Sequence, residues 1–278
     1  RLVFMLSLIS RGGSSLLLIE AAAQLGIKFV LTRTETGAMI MASATAELTG
    51  SIGVALTTKG PGVASAANGS ACALLDRTPV ILITDGFTEQ QSDFITHQFI
   101  DQKALLAPVT KGHSRLEENQ VMSEISRLID LAMSPPCGPV HIELTGATAK
   151  KEALELQTQK TLDERALNAD NLNDFAKANE LINNASRPVI VIGLEARSVE
   201  NAEKTRELID NTDCPVLTTY KAKGVISDHH PQYAGIFTGG IAESACISKA
   251  DLIIMIGLDP VEFVLQKWRY QIPIIDIS

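Results

Sequence analysis

The sequence predicts an α/β protein built from two doubly wound, mainly parallel-sheet domains. Two observations carry this expectation. Short apolar runs of strand length alternate with helical patterns along the whole chain. Between Gly146 and Asp170 the chain turns polar and charged, with few large apolar residues after Leu156. The length agrees, because 278 residues exceed the roughly 100–200 of one ordinary domain. With 45% hydrophobic and 20% charged residues, the chain has enough apolar material to fill two cores, which excludes a disordered class.

The elements follow in order. The opening RLVFMLSLIS reads as the remnant of a first strand in a chain cut before its natural start. It lacks the initiating Met, the preceding basic stretch and the A-x-A site of a signal peptide. Lys28–Arg33 is a strand, and Glu35–Leu48 an Ala-rich helix ended by Gly50. Ile52–Thr57 is the next strand, and Gly60-Pro61-Gly62 opens a helix through Leu75. Val80–Thr84 is a strand, the polar stretch Asp85–Thr96 a loop, Glu117–Met133 a helix, and Pro139–Leu144 the strand that closes the first domain, 1–146. After a linker, 147–170, the second domain, 171–278, predicts helices over Leu172–Asn184 and Val199–Asp210. Its strands are Pro188–Ile192, Pro215–Thr218, Asp251–Ile256 and Ile272–Ile277, with an irregular segment over Lys221–Gly240.

Composition narrows the function classes. A formal net charge of −8 argues against a nucleic-acid partner, which needs a basic face. The apolar runs Val80–Thr84, Val189–Leu194 and Leu252–Leu258 are five to seven residues long; a membrane span needs about 20, so no membrane partner is expected. Cys72, Cys137, Cys214 and Cys246 are far apart with no CxxC pair, which predicts four reduced, mostly buried thiols and a cytoplasmic protein.

Two places carry candidate chemistry. Glu35, in TRTETGA, follows a strand and starts a helix. It reads either as a first-turn acid favoured by the helix dipole, worth about 0.3–1 kcal/mol, or as a carboxylate at the carboxyl end of a strand, where open α/β sheets place ligands. Such a carboxylate hydrogen-bonds a ring nitrogen and shifts its protonation. Lys59-Gly60-Pro61-Gly62 joins a strand to a helix. It reads as a tight turn or as an anion site at a helix N-terminus, and it has neither the GxGxxG spacing nor the Gly-Lys-Ser/Thr ending of the nucleotide motifs.

TRTETGAMIMASATAELTG, GVALTTKGPGVASAANGSACALLDRTPVILITDG, HQFIDQ and GPVHIEL stand in this order and at normal intervals. Together they resemble the pyrimidine-binding domain of the thiamine-diphosphate-dependent 2-oxo-acid decarboxylases and carboligases, which include acetohydroxyacid synthase, benzoylformate decarboxylase and pyruvate oxidase. RPVIVIG, PVLTTYKAKGVISDHHPQYAG and ADLIIMIGLDP resemble the central domain of the same enzymes. The resemblance implies that Glu35 bonds N1′ of the aminopyrimidine and activates the cofactor. It places Thr58, Lys59, Gly60, Pro61 and Gly62 in the loop beside the active site. Asn68 and Gly69 fall on the following helix, near the pyrimidine and a partner subunit, and His97 and Gln98 near the substrate. His229-His230-Pro231 matches a structural turn. Central domains of several relatives bind FAD or a nucleotide; no motif here, Gly193 included, identifies such a site. Thr34 and Ser65 depart from the family's frequent histidine and asparagine, which loosens the substrate assignment.

The family's GDG motif and later asparagine, which hold magnesium and the diphosphate, have no counterpart. Thr84-Asp85-Gly86 comes nearest, ends a strand and lacks the first glycine. The resemblance therefore implies the front part of a longer enzyme, stopping short after Ser278. It needs thiamine diphosphate and magnesium, the latter held by a diphosphate-binding domain in cis or on another chain. The implied whole acts on a small 2-oxo acid as a homodimer or homotetramer, and this chain alone is inactive. A non-catalytic paralogue or separate subunit kept for binding or assembly is the alternative; Glu35 favours the enzyme.

Overall fold

The computed structural model describes residues 3–7, 13–117, 119–151, 169–263 and 268–278. The chain divides into two compact units, Arg1–Lys160 and Thr161–Ser278, each built on its own parallel sheet. The α/β class with two doubly wound units is thus the observed one. Most of the predicted linker, 152–168, lies outside the described residues. None of the helices among the described residues is long and apolar enough to cross a membrane.

The first unit has strands β1 (Val3–Ser7), β2 (Lys28–Thr32), β3 (Gly53–Thr57), β4 (Val80–Gly86), β5 (His113–Arg115) and β6 (Val140–Thr145), in the order β2-β1-β3-β4-β6-β5. Its helices are α1 (Gly13–Gln24), α2 (Glu35–Thr49), α3 (Pro61–Leu75), α4 (Glu89–Ser92), α5 (Gln102–Leu106) and α6 (Val121–Met133). Strand alternation sends Val80 and Leu82 of β4 to one face, where they meet Ala38, Met39 and Ala42 of α2 and Val63 and Ala66 of α3. Ile81 goes to the other face and meets Leu128 and Ala132 of α6, with Leu18 of α1 packed against them. Both faces are covered, as a parallel sheet requires. The small residues of α2 and α3 bring these helices close together: a Cβ on Gly69 would stand 2.3 Å from Met39 Cβ.

The second unit carries α7 (Ala169–Asn184), β7 (Pro188–Ile192), α8 (Val199–Asp210), β8 (Val216–Thr218), β9 (Tyr233–Ile236), α9 (Ser244–Ile247), β10 (Leu252–Ile256) and β11 (Ile274–Ile277). Its strand order is β11-β10-β7-β8-β9. Val189 and Val191 pack into one core, Ile190 and Ile192 into the other.

Several expectations are corrected. The loop predicted over Asp85–Thr96 contains the single turn α4, closed by a capping box between Thr88 and Gln91. The irregular stretch Lys221–Gly240 contains β9, a four-residue edge strand whose pairing with β8 shifts register between Val216 and Leu217. Helix α6 starts at Val121 rather than Glu117. All four cysteines are free, but only Cys214 is buried; Cys72 is exposed and Cys137 and Cys246 are half-buried.

Candidate active site

In the first unit the chain runs from β1 to β2 on one side and crosses back to β3 on the other. The carboxyl end of β1 is therefore the topological switch point, where open sheets take ligands. The starts of α2 and α3 flank it.

Glu35 is the first residue of α2. Thr34 caps that helix from an extended backbone and accepts the Gly37 N–H at 3.0 Å. The Thr32 hydroxyl donates to the Thr34 carbonyl at 2.9 Å, which fixes the turn between strand and helix. An ordinary first-turn acid points into water, whereas Glu35 is 6% exposed. Across the site, Pro61 occupies the first turn of α3. A Cβ on Gly62 would stand 2.6 Å from Thr57 Oγ1, 2.8 Å from Thr58 Cγ2 and 3.6 Å from Glu35 Oε1. Gly62 thus lets the start of α3 pack directly on the two threonines and beside the glutamate carboxylate, where a side chain would clash. Thr57 Oγ1 is buried without a hydrogen-bond partner among the described residues, and an orphaned buried hydroxyl asks for a water or a ligand group.

Gly60 has φ +63° and ψ −116°, a backbone state that residues with a Cβ rarely adopt. A Cβ there would also lie 2.5 Å from the Gln98 carbonyl oxygen. The β3–α3 turn therefore packs on the segment that holds Gln98, itself in a left-handed conformation at φ +57°. Lys59 Nζ lies 4.0 Å from the centre of the Phe87 ring, and Phe87 contacts Phe99 with ring centres 5.7 Å apart.

The structure brings together Glu35, Thr58, Gly60, Gly62 and Gln98, with Pro61 at the exposed lip. Asn68 does not join them; it faces solvent on α3. His97 is exposed and makes no hydrogen bond or ion pair among the described residues. His230 bonds Asp210 across 3.2 Å, a structural contact within the second unit.

Sequence reasoning missed the supports behind this surface. Gln102, 3% exposed, donates from Nε2 to the Asp85 carbonyl at 3.0 Å, anchoring the chain just after Gln98 to the end of β4. Asp85 Oδ1 accepts from the Ser15 N–H at 3.0 Å and the Ser15 hydroxyl at 2.6 Å, so Thr84-Asp85-Gly86 ties β4 to α1. Among the described residues no group of three or more His, Cys, Asp and Glu is arranged to hold a metal. Beyond Asp85, His141 is fully buried, with Nε2 2.9 Å from the Thr84 hydroxyl. Burial first, and the adjacent His113 second, push its pKa down to about 3, against the pull of Glu143. Burial alone would raise Glu143. The His113 imidazole, 3.6 Å away, and the Arg115 guanidinium, at 3.1 Å, outweigh that and hold its carboxyl below the usual range.

With this geometry in hand, two domain profiles match. Residues 8–105 match the "Thiamine pyrophosphate enzyme, N-terminal TPP binding domain", and residues 175–277 match the "Thiamine pyrophosphate enzyme, central domain". The chain belongs to the thiamine pyrophosphate enzymes. It is 28% identical over 259 residues to a probable acetolactate synthase large subunit of Methanococcus aeolicus, covering 88% of this chain and 42% of that protein. It is 26% identical over 260 residues to the acetolactate synthase of Bacillus subtilis, covering 90% and 44%. It is also 26% identical over 252 residues to the 2-hydroxyacyl-CoA lyase of Arabidopsis thaliana, covering 86% and 42%. The chain thus spans less than half the length of each of these relatives.

Proposed function

We propose that this chain supplies the pyrimidine side of a thiamine diphosphate site in an enzyme that decarboxylates or ligates 2-oxo acids. The observation that carries the reading is the buried carboxylate of Glu35 at the switch point, packed beside Gly62. The residues present fit an aminopyrimidine: a carboxylate, a buried hydroxyl on Thr57 in need of a partner, and a glycine whose bare backbone allows close approach.

When bound, thiamine diphosphate supplies a carbon nucleophile and an electron sink for decarboxylation. Glu35 holds a proton at the ring nitrogen N1′ and shares it across a hydrogen bond. Thr58 and the Gly60-Pro61-Gly62 turn shape the wall against which the ring lies. Gln98, tethered through the adjoining turn, faces the 2-oxo acid. Asn68, with exposed Ile40, Met41 and Leu48 of α2, suits a face covered by a second copy in a homodimer or homotetramer. Magnesium and the diphosphate, which call for hard-oxygen ligands, fall to another domain, in cis or on a separate chain, because the GDG motif of the resembled family has no counterpart in this sequence.

Calorimetric titration of this chain tests the division. Thiamine and magnesium-loaded thiamine diphosphate are expected to bind with similar, weak affinity, and both to lose binding in Glu35→Ala. Each 1.4 kcal/mol of missing diphosphate anchoring weakens binding about tenfold. Micromolar, magnesium-dependent binding contradicts the placement of the diphosphate, and unchanged thiamine binding by Glu35→Ala contradicts the role of Glu35.

A further inference from the structure

The sheet of the second unit has its own switch point. β7 leads to β8 and β9 on one side, and β10 and β11 lie on the other, so the crevice belongs between the carboxyl ends of β7 and β10. Nucleotides bind doubly wound sheets at that place, with a phosphate on free backbone N–H groups.

Here the same place is filled from within. Glu262 is 3% exposed. Its Oε2 accepts the Leu194 N–H, just after β7, at 2.8 Å, and the Asp259 N–H, just after β10, at 3.1 Å. Its Oε1 accepts the Thr219 hydroxyl, just after β8, at 2.5 Å. One carboxylate thus gathers the chain as it leaves three neighbouring strands. The backbone around it is closed as well: a Cβ on Gly193 would stand 2.3 Å from Leu258 Cα, 2.4 Å from the Gly257 carbonyl oxygen and 2.8 Å from Glu262 Oε2.

We propose that Glu262 sets the ligand specificity of the second unit by standing, as an internal anion, where a nucleotide phosphate would bind, so that this edge takes neither FAD nor an adenine nucleotide. A tethered carboxylate occupies the cradle without the translational and rotational cost that a free ligand meets. It also satisfies the donors with charge-assisted bonds that an incoming phosphate could only replace. An entering phosphate would meet like charge and find no room at Gly193. The inference concerns the second unit alone and does not depend on the reading of Glu35.

The test uses the purified protein in equilibrium dialysis against FAD and against ADP, with melting temperatures recorded in acetate and in inorganic phosphate. Wild type is expected to retain neither nucleotide and to respond to neither anion. Glu262→Ala vacates the cradle, and its melting temperature is expected to rise by at least about 2 °C with acetate or phosphate. Glu262→Gln, which keeps a carbonyl oxygen for the N–H groups, serves as the folded variant if Glu262→Ala does not fold; it too is expected to respond more than wild type. Stoichiometric retention of FAD or ADP by wild type overturns the proposal. So does an anion response no larger in the folded variants than in wild type.

Discussion

Glu35→Gln in the complete, cofactor-loaded enzyme slows deuterium exchange at C2 of the cofactor by about 10²–10⁴, the usual range for lost acid–base assistance. The amide has nearly the shape of the acid and keeps the turn, because the cap that positions α2 belongs to Thr34 and not to Glu35. What it loses is the ability to hold and release a proton at N1′. The chain's fold and its packing at Gly62 are expected to stay intact, so circular dichroism and melting temperature separate this effect from unfolding. Exchange at the wild-type rate removes Glu35 from the mechanism.

The second large effect is on stability. His141 is fully buried, with its pKa pushed down to about 3 from an ordinary 6.5. In the unfolded chain the imidazole takes up a proton near pH 6.5, whereas in the folded chain it stays neutral until about pH 3. The unfolded state therefore binds more protons across that window, and stability falls as pH falls. The gap corresponds to about 5 kcal/mol at about 1.4 kcal/mol per pH unit. Glu143 adds a loss in the same direction, but only below the ordinary carboxylate range, because its folded pKa is depressed. Of these two groups, His141 is the one that acts between pH 6.5 and 4.5. His141→Gln, which still reaches the Thr84 hydroxyl and does not ionise, is expected to flatten the slope of urea-unfolding free energy against pH there by about one proton. An unchanged slope means that another group carries the acid sensitivity.

What the sequence made legible is what local pattern encodes. The strand-to-helix joins at Glu35 and at Gly60-Pro61-Gly62 are visible because apolar runs, a capping threonine and a proline in the first helical turn lie next to one another. The burial of Glu35 is not visible, because Gly62, which packs beside its carboxylate, stands more than twenty residues away and follows a strand two places over. Gln102 and Phe87 escaped notice for the same reason: their roles come from the Asp85 carbonyl and the Lys59 ammonium, which only tertiary packing brings near. β5 and β9 are short edge strands, and His113-Ser114-Arg115 has none of the apolar residues by which strands are recognised. Glu262 looks like an ordinary acid in the first turn after Pro260, and nothing nearby in sequence announces Leu194 and Thr219 as its partners. Conversely, His97 stood out by type, yet it is its neighbour Gln98 that the fold turns toward Gly60.

The pyrimidine-side assignment is tested most directly by a crystal structure of the complete protein with thiamine diphosphate bound. The predicted result is an aminopyrimidine beside Gly62, with Glu35 within hydrogen-bonding reach of N1′, about 2.6–3.2 Å. A pyrimidine bound elsewhere, or one at this place with Glu35 turned away from N1′, would contradict it.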